Sequence, residues 1–190
     1  MRIHQPSEQI EDANTALQML KEGNERYLKG EPIDKTCCCS DRDVLCECQK
    51  PFAVILTCSD SRVVPEIFFD QKLGDIFIIR NAGNVADKTS LGAIEYAVEY
   101  LNCKLIAVCG HSDCRAVFAA CSDREFSPNI THIVKHIEPA IKKNRSLDEN
   151  IRSNILYMAD IIRADESIRR EGLMIAGAYY DLKSGIVSWL

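Results

Sequence analysis

Three short apolar runs constrain the fold of this chain more than any other feature of its sequence. The runs are FAVILTC (52–58), DIFIIR (75–80) and LIAVCG (105–110). They are nearly continuous and rich in branched residues, which is typical of strands buried on both faces. Between the second and third runs, apolar residues recur at the spacing of one helix face: Leu91, Ile94, Ala97, Val98 and Leu101. A strand, a crossover helix and a further strand predict a mostly parallel sheet.

A helix is predicted before the first strand, over residues 15–29. Thr15 and Gln18 have the spacing of a capping box, and Gly30 can end the helix in a left-handed conformation. A polar loop with several cysteines follows and leads to the first strand. The amino-terminal part of the chain is therefore expected to be a helical arm followed by a cysteine-rich loop.

Helices are also predicted after the third strand. Apolar residues at helical spacing predict one helix over 130–141, bent at Pro139, and another over 151–162. The last segment, 173–190, predicts two strands around a turn at 183–185. Helices that alternate with strands in this way flank the sheet, so the fold class is α/β.

Length and charge indicate the organisation and the class of the protein. A chain of 190 residues suits one domain, here an arm and loop over 1–50 and an α/β core over 51–190. The net charge of -5 argues against nucleic acid and anionic membranes as partners. No apolar run approaches the roughly 20 residues of a membrane helix. Because the polar amino terminus also lacks the apolar core of a signal peptide, we expect a cytoplasmic protein.

Side chains capable of chemistry directly follow the predicted strands. The three groups are CSDSR (58–62), RNAGN (80–84) and GHSDC (110–114). In an open parallel sheet, ligand sites lie beyond the carboxyl ends of the strands. If the first and third strands are neighbours, Cys58 meets His111 and Cys114 there. Two thiolates and one imidazole, with the fourth position open, form the ligand set of a catalytic zinc site.

Simpler interpretations of these residues stay open on spacing alone. A pair of the form H-x-x-C also arises by chance, and a histidine after a strand is more often a hydrogen-bonded loop residue than a ligand. Asp60 and Arg62 can likewise form an ordinary ion pair in a loop. What favours the metal site is that both segments share one predicted place in the sheet.

The three motifs, in this order and separation, resemble the signature of the β-class carbonic anhydrases. The resemblance is nearly continuous from Pro51 to about Cys121 and looser at both ends. It implies the zinc-dependent, reversible hydration of carbon dioxide to bicarbonate, by a lyase whose zinc is held by Cys58, His111 and Cys114. It also implies an oligomer, either a homodimer or a dimer of dimers, with the site near the subunit interface.

The resemblance assigns further residues to the site. It places an Asp60–Arg62 pair beside the metal, and in some members the aspartate becomes a fourth ligand in a closed state. The sequence leaves open whether this chain prefers the open or the closed state. Gly83 matches the small residue near the substrate pocket. Gln71 lies within about one residue of the place where some members have an interface glutamine.

Arg115 is a departure from the family pattern. The family usually has glycine directly after the second cysteine ligand, and this chain has an arginine. The side chain either turns into solvent or alters the pocket, which would weaken activity or change the small substrate. Arg115 leaves room for one alternative function, and the cysteine-rich loop, which could supply a fourth ligand or sense redox state, leaves room for another. One is hydrolysis of carbonyl sulfide or carbon disulfide on the same scaffold, and the other is a non-catalytic zinc or thiol protein.

The remaining cysteines and a histidine pair lie outside the signature. Five cysteines fall in the polar loop: Cys37, Cys38, Cys39, Cys46 and Cys48. Their spacing is not the C-x-x-C of common zinc sites, which favours a reduced, partly exposed loop over an accessory metal site or a disulfide. Three others are expected in the core: Cys103, Cys109 and Cys121. His132 and His136 are four apart on a predicted helix. This favours a partly exposed helix face over a metal site, and either residue could instead relay protons.

Overall fold

The computed structural model describes residues 9–35, 43 and 45–190. A five-stranded sheet in the order β2-β1-β3-β4-β5 runs through them. Its strands are β1 (Ala53–Cys58), β2 (Ile76–Asn81), β3 (Leu105–His111), β4 (Met174–Tyr180) and β5 (Val187–Trp189). The first four strands are parallel and β5 is antiparallel to β4. The fold is therefore a single-domain α/β fold with a mostly parallel sheet, as predicted.

Helices cover both faces of this sheet. They are α1 (Ala13–Lys29), α2 (Pro65–Phe68), α3 (Lys88–Glu99), α4 (Arg115–Ala120), α5 (Pro128–Ile137) and α6 (Leu147–Ala164). Residues 45–47 are also helical, within the segment predicted as a loop. In the described part of the chain, no helix combines the length and the apolar character needed to cross a membrane.

The sheet separates two apolar layers. One layer packs Val54, Leu56 and Val108 against α3 and α6, and Cys58 and Cys114 belong to it. The other packs Ile55 and Ala107 against α1 and α2. Because helices cover both faces, β1 and β3 are buried along their whole length, and this explains their continuous apolar sequences.

The amino-terminal helix does not extend from the molecule as an arm. Its Ala16 and Leu20 are fully buried in the second layer, and Arg26 donates to the buried Asp70 at 2.5 Å. The predicted capping box at Thr15 is wrong, because Asp12 caps the helix and accepts from the Thr15 amide at 2.8 Å. The predicted end at Gly30 is confirmed by its left-handed conformation.

The predicted bend at Pro139 is also wrong. Helix α5 ends at Ile137, and Pro139 lies in a separate 3₁₀ turn, Glu138–Ala140. Proline lacks the N–H that a continuing α-helix needs, so the α-helical hydrogen bonds stop there, although Glu138 keeps a helical backbone with φ -45° and ψ -41°. The predicted terminal turn is confirmed, since the Gly185 amide donates to the Asp181 carbonyl at 2.8 Å.

Candidate metal centre

Three potential metal ligands meet at the carboxyl ends of β1 and β3. Cys58 is the last residue of β1, His111 is the last residue of β3, and Cys114 directly precedes α4. Their ligand atoms lie within 4.8 Å of one another, and all three residues are buried. No other group of three or more such side chains occurs in residues 9–35, 43 and 45–190. The neighbouring strands bring together the residues that the sequence predicted.

The imidazole of His111 is oriented by its backbone surroundings. Its Nδ1 lies 2.9 Å from the Ser112 carbonyl, which can only accept, so Nδ1 carries the proton. Ser112 is itself fixed, because its amide donates to the Tyr180 carbonyl at 2.9 Å. The unprotonated Nε2 is buried and has no hydrogen-bond partner among the described residues. An orphaned buried acceptor of this kind fits a metal ligand, and the backbone contact fixes the tautomer that ligation needs.

The two thiols lie close enough to affect each other's ionisation. The interaction with the Cys114 thiol, as the main cause, and the Gly83 amide lower the pKa of Cys58 to about 4 against the effect of burial. The same interaction with Cys58, followed by burial, raises the pKa of Cys114. The shifts in pKa run in opposite directions, so Cys58 loses its proton more easily than Cys114. A divalent cation contacting both sulfurs would stabilise both as thiolates, so the donor set suits such an ion.

Gly83 lies directly against the Cys58 sulfur. Its amide is 3.4 Å from Sγ, and its φ of 79° is one that glycine adopts without strain. A Cβ at this position would lie 2.6 Å from Cδ1 of Ile137, so the loop cannot take a larger residue in place. The Gly83 carbonyl accepts from the fully buried Asn154 on α6 at 3.0 Å. This loop thus supplies an N–H donor to a ligand sulfur.

Asp60 and Arg62 form a bidentate pair beside the group. Arg62 Nε donates to Asp60 Oδ1 at 2.9 Å, and Nη2 donates to Oδ2 at 2.8 Å. The guanidinium holds the pKa of Asp60 well below its usual range. Asp60 Oδ2 is also 3.9 Å from Nε2 of His111. The carboxylate therefore stands at the edge of the metal-binding group, ionised and engaged by Arg62.

Arg80 and Asn81 also support the site, although the sequence analysis assigned them no role. Arg80 donates through Nη2 to the Asp60 carbonyl at 2.8 Å and through Nε to the Cys58 carbonyl at 3.3 Å. Asn81 holds the following loop closed with two hydrogen bonds to Val85. Its Nδ2 donates to the Val85 carbonyl at 2.7 Å, and its Oδ1 accepts from the Val85 amide at 2.7 Å. The RNAGN motif marked both positions. What the motif did not show is which backbone groups they bind.

The other predicted residues lie around this centre. Gln71 is buried and donates to the Phe69 carbonyl at 2.6 Å, in the apolar layer that contacts α1. The single chain does not bring it to the metal group, so its pocket role stays a prediction. The Arg115 side chain is 71% exposed, 3.7 Å from Asp113, and therefore turns into solvent.

The remaining cysteines divide by location. Cys46 and Cys48 are exposed, whereas Cys103 and Cys109 are buried in the core as predicted. Cys121 is only partly buried. The prediction for three further cysteines lies outside the described residues: Cys37, Cys38 and Cys39.

Comparisons with known proteins agree on one family. Residues 53–187 match the family model described as carbonic anhydrase. Carbonic anhydrase 2 of Mycobacterium tuberculosis is 39% identical over 184 residues, which covers 90% of this chain and 89% of that protein.

Solved structures show the same fold. A tetrameric β-carbonic anhydrase of Sordaria macrospora has 26% identity and a TM-score of 0.69, over 78% of this chain and 85% of its own. The β-carbonic anhydrase of Coccomyxa, solved with acetazolamide, has 24% identity and a TM-score of 0.74, over 92% of this chain and 86% of its own. The similarity therefore extends over most of the chain and includes all three motifs.

Proposed function

This chain belongs to the β-class carbonic anhydrases, and we propose that it hydrates carbon dioxide reversibly to bicarbonate and a proton at a zinc ion held by Cys58, His111 and Cys114. One observation carries this proposal. Two buried thiols and the unpartnered Nε2 of a buried histidine converge within 4.8 Å. Three protein ligands leave the fourth position of a tetrahedral ion for water, which is the catalytic form of a zinc site.

The charges of the ligands set the expected pH range. When bound, a zinc ion supplies a Lewis acid that lowers the pKa of coordinated water. Cys58 and Cys114 contribute two negative charges as thiolates and formally balance the ion, whereas three neutral histidines leave it positive. We therefore expect a more alkaline activity profile than that of a three-histidine site, where the pKa of the water is about 7. The Gly83 N–H draws charge from the Cys58 sulfur and offsets part of this difference.

Asp60 and Arg62 are proposed to act as a unit. Held by Arg62, the Asp60 carboxylate can accept a hydrogen bond at the edge of the site and orient the group that donates it. The Arg80 contact to the Asp60 carbonyl restrains the backbone that carries this carboxylate. The bidentate pair supports the open arrangement. A closed state, with Asp60 as fourth ligand, stays a prediction.

We also propose that the protein assembles as a homodimer or a dimer of dimers. Strand β2 is an edge strand that is only partly buried, and large apolar side chains nearby are exposed, Leu73 and Tyr100 the most. Edges of this kind are normally covered. The relative from Sordaria macrospora is tetrameric, which supports an even-numbered assembly. The cytoplasmic location and the lack of nucleic-acid and membrane partners stay predictions from the sequence.

Stopped-flow hydration of carbon dioxide by the purified, zinc-loaded protein tests the proposed reaction. We expect hydration that is lost when the metal is removed and restored when zinc is returned. A parallel assay for sulfide release from carbonyl sulfide and carbon disulfide tests the alternative hydrolase. Sulfide release without hydration would overturn the proposal in favour of that hydrolase. Zinc binding without either activity would indicate a non-catalytic zinc protein.

A further inference from the structure

We propose that His132 and His136 form a second site, accessible to solvent, for a divalent transition-metal ion. Both residues lie on α5, one turn apart, and their ring centroids are 4.8 Å from each other. His132 is exposed and His136 is partly buried. Side chains four apart on a helix project from the same face, so the two imidazoles can contact one ion together.

Among the described residues, neither imidazole is committed to a partner by a hydrogen bond. Within the described residues no hydrogen bond to either ring is present, and the two rings meet edge to face at 76°. A ring nitrogen that is already hydrogen-bonded would have to break that bond to bind a metal. Here a rotation of one ring out of the edge-to-face contact would let both imidazoles face one cation, and it would break no hydrogen bond among the described residues. The exposure of His132 gives the ion a path from solvent.

Asp87 adds negative charge beside this pair. It caps α3 by accepting from the Ser90 amide at 2.8 Å. Burial raises the pKa of Asp87, but the Ser90 contacts and the interaction with His136 outweigh it and lower the pKa overall. The carboxylate is therefore ionised next to His136 and attracts a cation. Lys135 lies between the two histidines in sequence and is exposed, so its charge opposes binding only weakly.

The site has two protein ligands. The carboxylate of Asp87 is not close enough to make a third, since the only group of three or more among the described residues is the one at Cys58. Water would complete the coordination of the ion. Imidazole favours Cu²⁺, Ni²⁺ and Zn²⁺, whereas Mg²⁺ and Ca²⁺ prefer oxygen ligands. The proposed site therefore selects borderline transition metals and differs from the buried site, which has two sulfurs.

Calorimetric titration of the zinc-loaded protein with Ni²⁺ tests this proposal, because thiols do not reduce Ni²⁺. We expect one Ni²⁺ per chain in addition to the bound zinc. His132→Gln should weaken the binding about 100-fold, since it converts a chelate into a single-ligand contact. His136→Gln should do the same, and the two variants together guard against a folding defect in either one. Circular dichroism melting checks that both remain folded.

Two control variants isolate the site. His4→Gln removes a histidine elsewhere in the chain, and the double variant Cys46→Ser, Cys48→Ser removes two exposed thiols. Neither should change the Ni²⁺ affinity. Unchanged binding in the His132→Gln variant, no binding by the wild type, or loss of binding only in a control variant would each overturn the proposal. The titration reads binding alone, so it does not depend on the proposed hydration activity.

Discussion

Two pairs of buried cysteines in one core show how surroundings decide the chemistry of a thiol. Cys58 and Cys114 lie at the carboxyl end of the sheet, and Cys103 and Cys109 lie within the core. None is more than 5% exposed. Burial raises the pKa of Cys103 and of Cys109 to about 12. In the other pair the pKa of Cys58 falls to about 4, and its interaction with Cys58 raises the pKa of Cys114.

The hydrogen-bond partners of each sulfur explain this difference in pKa. The Cys103 sulfur donates to the Pro51 carbonyl at 3.1 Å, and an acceptor of this kind favours the protonated thiol. The Cys58 sulfur instead accepts a hydrogen bond from the Gly83 amide and interacts with the Cys114 thiol. Donors of this kind favour the thiolate. Burial is common to both pairs, so it does not identify a functional cysteine. A functional cysteine is identified by hydrogen-bond donors that converge on its sulfur and by a second potential ligand beside it.

The largest expected effect comes from exchanging sulfur for oxygen at one member of each pair. Cys58→Ser should lose most of its zinc and all hydration activity, because it removes a thiolate ligand from a three-ligand site. Cys103→Ser is the matched control, and it should keep both, since a serine hydroxyl can still donate to the Pro51 carbonyl. Zinc per chain by mass spectrometry is the measurement. Full zinc content in the Cys58→Ser protein would contradict the assignment.

A smaller effect is expected for the pair beside the metal-binding group. Arg62→Ala removes both hydrogen bonds that hold the Asp60 carboxylate, so the carboxylate becomes free to turn toward the metal. We expect the hydration rate to fall about 100-fold at every pH. This is the lower end of the effect that the loss of a positioned proton acceptor usually has on a rate. Stopped-flow rates across pH measure this. A normal pH–rate profile would show that the pair is only structural.

An effect on stability is expected from the loop behind Cys58. Asn154→Ala leaves the buried Gly83 carbonyl without its partner, which should lower the free energy of unfolding by about 1–3 kcal/mol. Ser153→Ala, on the same helix but in an exposed contact with Arg145, should change it by less than about 0.5 kcal/mol. Urea denaturation compares the two variants. Equal midpoints would mean that Asn154 does not support the loop.

The smallest effect is expected at Arg115. Because its side chain is 71% exposed, restoring the family's glycine with Arg115→Gly should leave zinc content and hydration rate unchanged. Glycine in the first turn of α4 should cost at most about 1 kcal/mol of stability. A clear rise in hydration would instead show that the arginine crowds the pocket. Rates and zinc content measured together separate the two results.

The sequence predicted the strands and the metal-binding group because both depend on local patterns. Continuous apolar runs marked β1 and β3. Their adjacency was only a condition for the metal site in the sequence, and the structure meets it because β1 pairs with β3 in parallel. Residues that act through distant packing were not predictable in this way. Asn154 reaches Gly83 across 71 residues of sequence, and only the position of α6 on the sheet brings them together.

The errors at helix ends arise where one stretch of sequence is compatible with two local structures. Asp12 and Thr15 are both residue types that cap helices, and the sequence does not show which one lies outside the helix. The structure has Asp12 as the cap, and Thr15 donates its hydroxyl to it at 2.6 Å. At Pro139 the choice was between a bend and an end, and the missing N–H of proline is compatible with both.

Zinc K-edge X-ray absorption of the purified protein tests most directly whether the metal is held by the buried thiol pair and one histidine. The account predicts two sulfur neighbours at about 2.3 Å and two nitrogen or oxygen neighbours at about 2.0–2.1 Å. The sulfurs would be those of Cys58 and Cys114, and one light neighbour would be Nε2 of His111. Four sulfur neighbours, from a closed site that recruits the exposed cysteines, would contradict it.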